Sequence, residues 1–141
     1  GLLTHRHTGE IEWALSEVHG APVQVLFTPH LVPMTRGLLA TCTARPATSG
    51  LTTARLLDAY RDFYAKEPFV VVLDEPPTTK ATLGSNSAHL TVRYDDRTGT
   101  ILAFGALDTL GKGAAGQAVQ AANLVLGLPE ASGLGCVGMM P

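Results

Sequence analysis

The stretch Ala88-His89-Leu90-Thr91-Val92-Arg93-Tyr94, followed by Asp95-Asp96-Arg97-Thr98-Gly99 and then Thr100 to Leu107, decides the fold class. Ala88, Leu90, Val92 and Tyr94 alternate with His89, Thr91 and Arg93, the period of two that suits a strand with one buried face and one wetter face. The polar, glycine-ended segment between the runs turns the chain back, so an antiparallel hairpin is expected. Working outward, Leu38 to Ala44, Phe69 to Leu73 and the shorter Val23 to Phe27 read as further strands. Thr52 to Lys66 reads as a helix, with Leu56, Leu57, Tyr60, Phe63 and Tyr64 crowding one face as core packing does, and Pro68 ends it. Glu10 to Val18 reads as another helix, with Ile11, Ala14, Leu15 and Val18 on one face. Thr8 is its expected N-cap, and Gly20 and Pro22 its stop. A last helix follows Lys112. The order is then helix, strand, strand, helix, strand, strand, strand, helix. Grouped strands argue for α+β with a mostly antiparallel mixed sheet rather than a βαβ parallel one.

Several connections carry polar residues. Pro29 and Pro33 stiffen a loop holding His30, Thr35 and Arg36, a place to hold a substrate or a subunit contact, or simply a connector with a solvated arginine. His30 reads as a packed, hydrogen-bonded histidine. Glu75 to Lys80 reads as a polar loop. Gly84-Ser85-Asn86 is a loop of small polar residues that could hydrogen-bond a substrate, but such a tripeptide is common in plain turns and is a weak signal by itself. Gly111-Lys112-Gly113-Ala114-Ala115-Gly116 fits G-x-G-x-x-G between a strand and a helix. A dinucleotide-binding unit, however, needs a parallel strand after that helix and an acidic residue about 20 positions on. Only a glycine-rich segment follows, so the Rossmann reading is rejected. With no repeat or linker visible, residues 1–141 are expected to form a single domain.

The chemistry concentrates at the start, in His5-Arg6-His7-Thr8-Gly9-Glu10-Ile11. Imidazole exchanges protons near neutrality. A carboxylate can orient such a ring, and a guanidinium can hold an anion in a two-pronged grip. Placed at the turn before a helix, where free backbone N–H groups also favour anions, the cluster suits a general base with anchors. The bland alternative is a polar helix start.

Bulk properties bound the rest. At 141 residues the chain suits one core, and 45% apolar with 16% charged residues is slightly lean in charge, a weak sign of apolar surface covered by a partner. A net charge of −2 without a basic run gives no sign of nucleic acid or an anionic membrane. No apolar run approaches the roughly 20 residues of a membrane span. Cys42, in an apolar run, reads as a small core residue, and Cys136 lies in a glycine-rich tail. Their spacing matches no metal site. A reduced, cytoplasmic protein without metal is expected.

The opening segment resembles the His-Arg-His-x-Pro-Glu-Ile signature of the N-acetyl-gamma-glutamyl-phosphate reductase family. Phe27-Thr28-Pro29-His30-Leu31-Val32-Pro33-Met34-Thr35-Arg36-Gly37 resembles its second signature. Lys112 to Gln120, running on to Leu126-Gly127-Leu128-Pro129-Glu130, is similar to its C-terminal helix. The resemblance covers the whole chain, yet members of that family are more than twice as long. It therefore implies the C-terminal, substrate-binding and dimerisation half, without the N-terminal Rossmann half that carries the nucleophilic cysteine. It also implies a glyceraldehyde-phosphate-dehydrogenase-like C-terminal domain with helices on one sheet face and a homo-dimer or tetramer. His5 would be the catalytic base, and Arg6, His7, Glu10 and Arg36 would contact a small acyl-phosphate substrate. Gly113, Gly116 and Gln117 would contact NADP, held mainly by the other half. Gly9, Thr109 and Ala121 depart from the proline and asparagines usual at those places. A chain serving only as a dimerisation scaffold is the alternative.

Overall fold

A computed structural model describes residues 3–135 and 137–139, and Cys136 lies outside the described residues. The chain separates into two compact units, one running to Met34 and the other starting at Thr35.

In the first unit, helix α1 spans His7–His19 and starts three residues earlier than its apolar stripe suggests. Thr8 is not the N-cap: that position is Arg6, which makes no side-chain capping bond. The first N–H of the helix, from His7, instead donates to Nδ1 of His5 at 3.2 Å. At the other end Gly20, at φ 75°, donates its N–H to the Ser16 carbonyl at 2.8 Å, the left-handed stop for which glycine is suited. The strand expected at Val23 to Phe27 does not form. Its backbone donors are taken by side chains of α1: Val23 N–H donates to Ser16 Oγ at 2.9 Å and Val25 N–H to Glu12 Oε1 at 2.9 Å. An extended segment satisfied in this way needs no sheet partner.

The second unit holds one four-stranded sheet. Strand β1 is Leu38–Ala44, β2 Val70–Val72, β3 Ala88–Asp95 and β4 Thr100–Leu107, in the order β1-β4-β3-β2. β4 pairs antiparallel with both β1 and β3, and β2 lies parallel to β3. This is the mixed, mostly antiparallel sheet that the hairpin announced. The register puts Ala40, Cys42, Ala103, Gly105, Leu90, Val92, Val70 and Val72 on one side, and Leu39, Thr41, Leu102, Phe104, Thr91, Arg93 and Val71 on the other. Helix α2, Thr53–Phe63, packs on β3 and β2. Its Tyr60 hydroxyl lies within electrostatic reach of Cys42, which places α2 on the side of Cys42 and Val92. Burial raises the Tyr60 hydroxyl above the usual phenol value, with Tyr64 and Cys42 adding to the shift. Thr52 caps the helix by accepting from Arg55 N–H at 3.2 Å.

The core is small: Leu57 and Phe69 are buried, and Val92 and Ala106 almost completely so. Two expectations about it fail. Phe63, at the edge of the α2 stripe, is 78% exposed, and Cys42 is exposed because β1 is an edge strand. The expected loop at Glu75 to Lys80 ends in a short helix, α3, Thr79–Thr82, capped by Thr78. After β4, Gly111–Ala115 form one π-helical turn that leads directly into α4, Gly116–Val125. No helix among the described residues is long and apolar enough to cross a membrane.

Candidate functional site

Candidate residues fall into two groups, one in each unit. In the first unit, His5 sits just before α1. Its Nδ1 accepts from His7 N–H, its carbonyl accepts from Thr8 N–H at 3.0 Å, and its ring meets His7 edge-on at 4.8 Å and Phe27 at 5.2 Å between centroids. The ring is therefore oriented by a backbone donor and an aromatic edge, not by a carboxylate. Glu10 and Arg6 are exposed and reach no polar partner among the described residues. The carboxylate that does structural work here is Glu12, one turn along the helix from Thr8 and bonded to Val25. His30 is exposed rather than packed, and its Nδ1 lies 3.1 Å from the Thr28 carbonyl. Half-buried His5 and exposed Arg6 and His7 thus lie together at a helix start.

The second group centres on a residue that sequence reading passed over. Asp108 follows β4 and is fully buried. Its Oδ1 accepts from Arg36 Nε at 2.9 Å and from Leu110 N–H at 3.4 Å. Its Oδ2 accepts from Arg36 Nη2, from Gly84 N–H at 3.0 Å and from Gly111 N–H at 3.3 Å. Burial by itself would raise this carboxyl. Hydrogen bonds from Arg36, Gly84 and Leu110, together with the Arg36 charge, outweigh it and hold Asp108 below the usual carboxylate range. Arg36 is thus clasped through two of its nitrogens, a two-pronged geometry directed at the protein's own carboxylate. Gly37 N–H adds a 3.3 Å bond to Thr109 Oγ1. A cue was available: a two-pronged arginine needs a planar acceptor, and an aspartate at a strand end, three residues before a glycine, offers acceptors to the turn that follows.

The Asp108 clasp seats the Gly84-Ser85-Asn86 turn against the π-helical turn. A Cβ at Gly111 would collide with the Ser85 carbonyl, and one at Gly116 with Asn86 Oδ1. Both glycines are therefore required by this close approach. Asn86, itself buried, donates from Nδ2 to Gln120 Oε1 at 3.1 Å; Lys112 Nζ donates to the same oxygen at 2.6 Å, and Gln120 Nε2 donates to Glu130 at 2.6 Å. Gly113 backs onto the Asp108 carbonyl, and Gln117, exposed, lies 3.4 Å from the Gly113 carbonyl through Nε2. Such a G-x-G-x-x-G run is filled from within. With Ser85 and Asn86 occupying the space above Gly111 and Gly116, it does not fit a dinucleotide pyrophosphate, and no strand follows α4 among the described residues.

Comparison with known proteins places this geometry. The family model for the semialdehyde dehydrogenase dimerisation domain matches residues 1–109. An N-acetyl-gamma-glutamyl-phosphate reductase of Symbiobacterium thermophilum is 53% identical over 135 residues, covering 93% of this chain and 38% of that protein. Another of the same name from Thermus thermophilus is 51% identical over 150 residues, covering 98% of this chain and 43% of the relative. The chain thus spans about two-fifths of the length of the curated relatives it matches. A crystal structure of aspartate semialdehyde dehydrogenase II from Vibrio cholerae, complexed with ASA, superposes with a TM-score of 0.65 at 20% identity, covering 86% of this chain and 36% of that one. This likeness shows the shared fold. With the mixed sheet, the α2-covered face and the matched model in agreement, the chain belongs to the semialdehyde dehydrogenase dimerisation-domain family.

Proposed function

We propose that this chain is the C-terminal part of an NADP-dependent N-acetyl-gamma-glutamyl-phosphate reductase, which forms N-acetylglutamate semialdehyde in arginine biosynthesis. The observation that carries the reading is the set of relatives of that name at about half identity, aligned over nearly all of this chain. Within it, the His5-Arg6-His7 segment supplies the chemistry. His5 exchanges protons with the reacting centre, and Arg6 holds the anionic substrate. His7 and Glu10 flank them, and Arg36 shapes the second unit from its clasp on Asp108. NADP binds mainly outside this chain, because the glycine run has no room for a pyrophosphate. Of Gly113, Gly116 and Gln117, the exposed Gly113 in the π-helical turn and Gln117 at the start of α4 are open to a contact, whereas Gly116 is buried against Asn86. The acyl phosphate is the small-molecule partner, and the setting is cytoplasmic.

A second reading, a purely structural dimerisation module, draws on the sheet side opposite α2. There Leu39 is 55% and Val71 40% exposed, on the same side as Leu102 and Phe104. Such a face suits a second copy of the chain in a homo-dimer or tetramer. One kinetic series separates the readings. In the full-length enzyme, His5→Asn lowers kcat by ~10²–10⁴-fold, Arg6→Lys chiefly raises KM, and His7 replacement costs less than His5 replacement. If none of the three changes turnover, the segment has no catalytic role and the scaffold reading stands.

A further inference from the structure

Two histidines of the first unit place Nδ1 against main chain with opposite polarity. The His7 N–H points at His5 Nδ1, with 3.2 Å between the nitrogens. His30 Nδ1 instead lies 3.1 Å from a carbonyl oxygen, that of Thr28. A neutral imidazole has one N–H and one lone pair. Facing a donor, Nδ1 of His5 must present its lone pair, and facing an acceptor, Nδ1 of His30 must carry the hydrogen. We propose that His5 is held in the Nε2–H tautomer and meets its ligand as a hydrogen-bond donor through Nε2. This rests on the placing of His5 at the reacting centre proposed above and narrows its role there: the neutral ring gives a hydrogen bond through Nε2 before it takes any proton.

The alternative tautomer of His5 would set two N–H groups against each other. It would also orphan the His7 N–H, one of the four at the start of α1 that lack a partner within the helix. A half-turn of the ring keeps the edge-on contacts with Phe27 and His7 but sets a ring carbon against the His7 N–H, so the bond to Nδ1 favours the orientation described. The consequence is chemical. A neutral His5 has no lone pair at Nε2 with which to take a proton; it has an N–H to give. What it docks is a negatively charged or negatively polarised acceptor, either a thiolate sulfur or an acyl oxygen on which charge develops. Acting as a base through Nε2 requires His5 first to let go of His7.

The test has a spectroscopic arm and a kinetic arm. In this chain labelled with nitrogen-15, at a pH where the histidines are neutral, long-range proton–nitrogen correlations assign each ring. The expected result is a lone-pair-type Nδ1 on His5, coupled to the His7 amide, and a protonated Nδ1 on His30. A protonated Nδ1 on His5, or absence of the coupling to His7, overturns the inference. In the full-length enzyme, His5→Gln keeps an N–H at the Nε2 position. His5→Asn keeps an oxygen where Nδ1 accepts from His7, but has nothing at Nε2. A docking donor predicts that His5→Gln retains activity within ~10-fold while His5→Asn loses ~10²–10⁴-fold. Equal losses in the two variants overturn the donor role. An unchanged kcat in both, with the expected spectrum, removes the catalytic reading and the docking role while the tautomer assignment stands. Alkylation of the nucleophilic cysteine without substrate distinguishes the acceptors: slowed alkylation in His5→Asn assigns the sulfur, and unchanged alkylation with lost turnover assigns the acyl oxygen.

Discussion

Replacing Asp108 with asparagine tests the central clasp of the second unit. The amide keeps one acceptor oxygen and turns the other into a donor. If its NH2 takes the place of Oδ2, three donors lose their acceptor: Arg36 Nη2, Gly84 N–H and Gly111 N–H. If it takes the place of Oδ1, two do, Arg36 Nε and Leu110 N–H. The second orientation is therefore adopted. It leaves one backbone donor unpaired and a guanidinium facing an amide. Removing one partner of a fully buried ion pair costs about 3–5 kcal/mol. Here the Arg36 side chain is still 34% exposed and recovers part of its hydration, so about 2–4 kcal/mol is expected. Urea denaturation should show a lower midpoint with an unchanged slope. Asp74→Asn is the control: its pair with Arg61 is exposed on both sides, so little stability is at stake. The pH dependence follows from the direction of the Asp108 shift. Its folded carboxyl lies below the usual value, so between the folded and unfolded pKa values the unfolded chain binds the extra proton, and stability rises with pH. The contribution is complete above the unfolded value near 3.9 and is lost as pH falls through the folded one. Acid unfolding of Asp108→Asn should therefore be less steep. A loss below about 0.5 kcal/mol, equal to that of the control, would refute the clasp.

Two further substitutions probe the local reasoning. Gly116→Ala places a Cβ against Asn86 Oδ1 and the Gly111 backbone, and should destabilise by about 1–3 kcal/mol as overpacking does; a neutral result in a thermal melt would mean that the 84–86 turn yields freely. Thr52→Ala removes the acceptor for Arg55 N–H and should cost about 1 kcal/mol, with Thr52→Ser restoring most of it in the same denaturation assay.

Legibility in the sequence tracked how local the physics was. The hairpin from Ala88 to Leu107 could be read because its alternation and its turn lie within 20 contiguous residues, and the two strands do pair antiparallel, with Asp95, expected in the turn, closing the ladder opposite Thr100. Strand β1 was likewise bounded correctly at Leu38 and Ala44. Val23 to Phe27 misled because its apolar pattern is that of a strand, whereas its donors are claimed by Ser16 and Glu12, residues that periodicity assigns only to α1. Thr8 misled because a histidine side chain took over part of the capping role. Cys42 looked internal because a run of small apolar residues does not reveal whether its strand is central or at an edge. Asp108 escaped notice for a different reason. Its partners come from positions 36, 84, 110 and 111, and no window of sequence holds them together.

That dispersal bears on how the signature from Phe27 to Gly37 is understood. Its last two residues are bound to the end of β4, Arg36 to Asp108 and Gly37 to Thr109. Gly37 also packs so closely on Thr79 that a Cβ there would crowd the threonine side chain, and its φ of 116° suits glycine alone. Thr109, which replaces an asparagine usual in the resembling family, still offers an oxygen to Gly37 N–H, so this departure keeps an acceptor at that point. A carboxylate at 108 is the one side chain short enough to sit at the strand end and rich enough in acceptors to serve Arg36, Gly84, Leu110 and Gly111 at once. Glutamate would add a methylene to a fully buried site, and asparagine would lose an acceptor. The arginine that sequence alone offers as a substrate anchor is, in the folded chain, first a strut. It fixes where the 84–86 turn and the start of α4 stand, and any ligand contact it makes must come from the part of its guanidinium that Asp108 leaves exposed.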